Sequence, residues 1–305
     1  MVRNVVVPAI ISVRTLCRLG SNPNSFSNIV LKYFTNGKVK TENGKLCGRS
    51  ASLLPCHRLS LNIHPFTVNS SPCRGIEGGR HLKTMKIEVC CPDLASVKRA
   101  IEGGADRIEL CTALELDGLT PTRDEVRQAV SMCHAAGVVV HVLIRSREGN
   151  FVYNEAEAEQ MSAEIVMALE EGADGIVIGA LTKDGDLDVP MCSKWITVAK
   201  EYVATQADNR PLGITFHRAF DVCSNPMQAL EEIIAMGCNR LLTSGQEPSA
   251  VKGIPMLKKL VEASEGRLCV LAGAGVSAEN YMQIVEEAGV TEVHGSFKGG
   301  VPVRD

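Results

Sequence analysis

From Met85 onward, eight short β-rich runs alternate with stretches of helical period, and this alternation narrows the fold more than anything else in the chain. The runs are residues 86–91, 107–111, 138–145, 175–181, 212–217, 240–244, 267–272 and 292–297. Helix starts lie between them: Asp93 ahead of Leu94, Val97 and Ile101, Thr122 with Glu125, and Asn154 with Glu157. In each, a short polar side chain is placed to take a backbone N–H that the first helical turn leaves unpaired. Gly104, Gly137, Gly172, Gly237, Gly266 and Gly289 each precede the next run, where a helix ends on a left-handed residue. Strand–helix–strand units make parallel pairs. Eight strands joined by seven crossovers predict a (β/α)8 barrel of the TIM type, with an open doubly wound sheet as the second architecture. Only eight residues follow Phe297, so the eighth helix is expected to be missing or truncated.

Residues 1–84 have a different character. They hold 12 Lys and Arg against two acids, Glu42 and Glu77, which makes them about +10, while 20 basic and 33 acidic residues make the remainder −13. The net charge of −3 hides this asymmetry. Residues 1–40 contain no acid, space Arg3, Arg14, Arg18, Lys32, Lys38 and Lys40 along their length, and are rich in Ser and Asn, the composition of an organellar transit peptide. The expected organisation is therefore a basic, acid-poor leader over 1–84, either targeting or disordered, and a single barrel domain over 85–305. A simple upstream extension, with Met85 as the working start, is the alternative. A body this acidic offers nucleic acid or an anionic membrane no electrostatic attraction. No apolar run approaches the ~20 residues of a membrane span.

In such a barrel, ligands bind at the C-terminal strand ends and in the loops after them. Side chains two apart share a strand face, so Glu88 with Cys90, and Glu109 with Cys111, point one way, while Cys91 points out toward the helices. The same parity gathers His141, Arg145, His217 and His294 around the barrel axis. So many interior ionisable groups must be paired. Either they form a site or a Glu–Arg network holds the barrel together. Of the 12 cysteines, four lie in the leader and no C-x-x-C pair exists, which removes the usual zinc and dithiol spacings. Thiols of Cys90 and Cys111 on neighbouring strands, ~4.8 Å apart, suit Cu(I), or simply fill a narrow barrel. A second set points to an enzyme acting on a small phosphorylated or carboxylated substrate. In it Glu88, Glu109 or His217 handles protons and Arg145 and Arg218 hold charge. The turn Ala272-Gly-Ala-Gly275, with Ser296, would grip an anion through Gly273 and Gly275, or is only a tight βα turn.

Seven ordered motifs carry a resemblance: Met85–Cys91, Gly103-Gly-Ala-Asp-Arg-Ile-Glu-Leu-Cys111, Gly118-Leu-Thr-Pro121, Ile214-Thr-Phe-His-Arg-Ala-Phe-Asp221, Leu242-Thr-Ser-Gly245, Ala272-Gly-Ala-Gly-Val276 and Glu292-Val-His294. Together they resemble the CutC copper homeostasis protein family, over the body and none of the leader. The resemblance implies a (β/α)8 barrel, Cu(I) held by the cysteines that match Cys90 and Cys111, assembly as a homo-oligomer, and a cytoplasmic or nuclear setting. Mitochondrial delivery through residues 1–84 is the alternative. Expected partners are a copper ion and a small anionic metabolite, with no nucleic acid and no membrane. The chain departs from the family at Ile144-Arg-Ser-Arg-Glu-Gly-Asn-Phe151, where the family reads Ile-Arg-Pro-Arg-Gly-Gly-Asp-Phe, so Ser146, Glu148 and Asn150 are replacements. The family also continues well past its eighth strand.

Overall fold

Eight parallel strands close into a barrel in which each neighbours its sequence successor, and the last returns to the first. They are β1 Lys86–Cys91, β2 Arg107–Leu110, β3 Val139–Leu143, β4 Gly175–Ile178, β5 Gly213–Phe216, β6 Arg240–Thr243, β7 Cys269–Ala272 and β8 Glu292–Gly295. Helices α1 Leu94–Glu102, α2 Arg123–Ala135, α3 Glu155–Glu170, α4 Val189–Ala204, α5 Pro226–Met236, α6 Ile254–Ser264 and α7 Tyr281–Ala288 are the crossovers. The structure, a computed structural model, describes residues 33–35, 38–40, 85–206 and 210–302.

Side chains facing out of the barrel, such as Ile87, Val89, Ile108, Leu110, Val140 and Ile176, are sealed beneath the helices in one continuous apolar shell. Each fully buried side chain of this kind contributes about 1.5–3 kcal/mol. That shell supplies most of the hydrophobic stabilisation and leaves the barrel interior free to hold polar groups. Cys91 belongs to the shell, whereas Cys90, Cys111, Leu143 and Val177 form a separate small cluster inside the barrel.

The local signals operate as their chemistry requires. Asp93 with Ser96, Thr122 with Glu125, and Asn154 with Glu157 each form a reciprocal capping box. All six glycines ahead of the strands take φ between +72° and +97°, and Gly237 and Gly289 are themselves the left-handed C-caps of α5 and α7.

The expected runs at 138–145, 175–181 and 292–297 extend past the observed strands, because their apolar residues continue into βα loops where the ladder has ended. Among the described residues no helix follows β8. Instead Val301 packs on the core, and a Cβ added at Gly103, just beyond α1, would lie 2.7 Å from Val301 Cγ2. Apart from a small antiparallel pair, Tyr33–Thr35 with Lys38–Lys40, the leader expected over 1–84 lies outside the described residues. Among the described residues no helix is long and apolar enough to cross a membrane.

Candidate functional site

The lower barrel is filled by an ion network. Arg107 opens β2 with its side chain inward and donates from Nε to Glu88 and from Nη2 to Glu292 Oε2, the latter at 2.5 Å. Arg240 on β6 donates to the same Glu292 oxygen at 2.8 Å. Burial alone would raise the carboxyl pKa of Glu292, but Arg107 and Arg240 outweigh it and bring the value down to about 2. Above this network, the His141 ring on β3 lies against Gly175 and Gly213, with Nδ1 3.4 Å from Thr215 Oγ1.

One layer higher, Cys90 on β1 meets two kinds of donor. Its Sγ is 3.7 Å from Cys111 Sγ, just past the end of β2. Its sulfur also joins Glu109 and His294 in a buried group whose ligand-capable atoms all lie within 4.8 Å of one another. His294 Nδ1 is 2.7 Å from Glu88 Oε1, which leaves Nε2 as its other ring nitrogen. Burial opposes protonation of His294, yet the Glu109 and Glu88 carboxylates and Cys90 raise its pKa well above the usual imidazole value. Burial pushes the Glu109 carboxyl up to about 7, and its Oε2 has no hydrogen-bond partner.

These groups open into a cavity of about 510 Å³ at the C-terminal ends of the strands. On its wall stand Arg145 after β3 and His217 after β5, with Phe151 between them: the Arg145 guanidinium carbon is 5.1 Å from the Phe151 ring centre, and the Phe151 and His217 rings are 5.1 Å apart. His217 Nδ1 accepts the Ala219 N–H at 3.1 Å, at the start of the short 3-10 turn Arg218–Val222. Asp221 ties this turn to the loop after β6 by accepting from the Thr243 and Ser244 hydroxyls and the Ser244 N–H.

A sequence profile described as the CutC family matches residues 85–299. The chain belongs to the CutC family. A CutC family protein of Pasteurella multocida is 44% identical over 215 residues, 70% of this chain and 83% of its own length. One of Vibrio campbellii is 46% identical over 213 residues, 70% and 82% of the two chains. Among solved structures, a CutC protein of Streptococcus agalactiae assigned to copper homeostasis is 32% identical with a TM-score of 0.64, covering 70% of this chain and 99% of that one. QR15, an aldolase, is 17% identical with a TM-score of 0.51 over 71% and 91% of the chains, a likeness of fold alone.

Of the residues singled out in this CutC chain, Cys90, Glu109, Cys111, Arg145, His217, Arg218, Gly275 and Ser296 line the cavity. Glu88 and Gly273 do not. Glu88 is 0% exposed and engaged by Arg107 and His294 beneath the cavity. Gly273 donates its N–H to Thr243 O at 2.9 Å, and Leu242 fills the space a side chain would need. Arg218 is half exposed and paired with Asp221 at 2.8 Å. Arg107, Arg240 and Glu292 are functional neighbours outside the set of candidates drawn from the sequence. Arg107 shares parity with Glu109, and Glu292 with His294, so the alternation that turned the recognised residues inward also applied to these two.

Proposed function

We propose that this CutC-family barrel takes part in copper homeostasis by holding Cu(I) between Cys90 and Cys111. The observation that carries the reading is the 3.7 Å separation of the two sulfurs at the floor of the cavity. Thiolates are soft ligands that favour Cu(I) over hard divalent ions, and two on adjacent strands are already gathered for one ion. His294 is the natural further donor once it gives up a proton: Glu88 occupies Nδ1, so Nε2 is the nitrogen left for a ligand, the carboxylate–histidine arrangement that orients metal-bound imidazoles elsewhere.

Contact with Cys111, together with burial, pushes the Cys90 thiol pKa far above its ordinary value, so the metal-free Cys90 keeps its proton at neutral pH. Metal binding therefore releases protons, and affinity rises with pH. Copper K-edge X-ray absorption of the Cu(I)-loaded protein tests the reading. A first shell dominated by sulfur is expected, and a shell of only nitrogen and oxygen rejects it.

A further inference from the structure

The upper cavity wall carries a charge that the cysteine pair does not use. Arg145 is 3% exposed, and its guanidinium donates to the carbonyls of Leu116, Gly118 and Gly149 at 2.9, 3.1 and 2.9 Å. Carbonyl dipoles orient a cation without neutralising it, and among the described residues no carboxylate forms an ion pair with Arg145. The Phe151 face beneath it compensates only in part. A buried cation lacking an anion is costly.

Beside it stands a buried donor with nothing to donate to. Ala219 N–H occupies Nδ1 of His217, so the neutral ring carries its proton on Nε2. That nitrogen has no hydrogen-bond partner, although the residue is 5% exposed.

We infer that this wall binds the carboxylate of a small organic acid, with Arg145 supplying the opposite charge and His217 Nε2–H donating a hydrogen bond. One unpaired cation balances one negative charge. Glu109, Asp117 and Asp221 share the cavity and oppose a second, and Arg218 is already paired with Asp221. Leu143, Leu242 and Val276 offer apolar wall to the rest of the ligand. The volume of about 510 Å³ lies within the range of small-molecule sites, about 300–1,000 Å³. The site stands whether or not Cys90 and Cys111 bind copper.

Nuclear magnetic resonance of the copper-free full chain, labelled with 15N in histidine and arginine side chains, tests the inference with acetate and inorganic phosphate as separate probes. The wild type is expected to give a free His217 Nε2–H tautomer whose signal shifts saturably with acetate, at lower concentration than with phosphate. Exposed His134 serves as the internal reference for non-specific effects. Because Arg145 clamps three carbonyls and its replacement endangers folding, the decisive variant is His217→Phe, which keeps a ring against Phe151. Read at the Arg145 side chain, it should raise the acetate half-saturation at least about tenfold, the loss of one hydrogen bond to a charged group. Three results overturn the inference: no His217 response to acetate beyond that of His134, tighter binding of phosphate than acetate, or unchanged acetate binding in His217→Phe.

Discussion

The imidazole of His141 lies so close to Gly213 that a Cβ added there would stand 2.4 Å from Nε2, and one at Gly175 would stand 2.6 Å away. Strands β4 and β5 thus give up side chains to admit a ring from β3, which occupies the centre of the barrel. Gly213→Ala is expected to lower stability by about 1–3 kcal/mol in urea unfolding, the usual cost of overpacking. His141→Ala should cost stability alone, yet combined with Gly213→Ala the loss should be smaller than the sum, because the added methyl then meets a cavity.

A second prediction concerns the ions below that ring. Arg107 on β2 holds two carboxylates, Glu88 of β1 and Glu292 of β8, the latter 185 residues away in sequence. Removing its charge by Arg107→Met leaves Glu88 only His294 and Glu292 only Arg240. A loss of about 3–5 kcal/mol is expected in denaturant melts. Replacing Arg107, Glu88, Glu292 and Arg240 together by apolar residues of similar volume should cost less than Arg107→Met alone, since the charges of the network leave together and His294 keeps Glu109.

The histidines make stability depend on acid. Burial, aided by Arg145, lowers the pKa of His217 to about 3, and burial with Arg107 does the same for His141. The unfolded chain binds protons at these rings below about pH 6.5 while the native barrel does not, so each removes stability as pH falls from 6.5 toward 3, by about 1.4 kcal/mol per unit. Glu109, protonated in the native state up to about pH 7, works in the opposite sense between 7 and its unfolded value near 4.5. The clean measurement is a difference: between pH 6 and 4, stability of His217→Phe should fall less steeply than wild type by about 1.4 kcal/mol per unit. Parallel slopes would show that His217 titrates normally in the fold.

Features that depend on neighbours in sequence were legible before the structure. The helix starts at Asp93, Thr122 and Asn154, the left-handed glycines and the inward turn of Cys90, Glu109 and Cys111 all follow from spacing alone. What escaped depends on contacts between distant strands. Arg107 and Glu292 had the right parity, but they sit at the opening ends of β2 and β8, and attention to the closing ends of strands passed over them. Their presence gives Glu88 a structural partner: Glu88 joins the network while also holding His294, and Glu109 is on the cavity wall. Gly273 shows the limit of a motif, since its N–H is committed to Thr243 and only Gly275 of that turn reaches the cavity. The free Nε2 of His217 was invisible in sequence because a backbone N–H in the following turn determines it.

The claim that Cys90 and Cys111 hold Cu(I) is tested most directly by a competition titration of the full chain against a Cu(I) chelator under reducing conditions. About one ion per chain is expected, lost when Cys90→Ala and Cys111→Ala are combined and retained in Cys192→Ala, whose thiol is buried in the outer shell away from the cavity. Undiminished Cu(I) binding in the Cys90→Ala, Cys111→Ala double variant would contradict it.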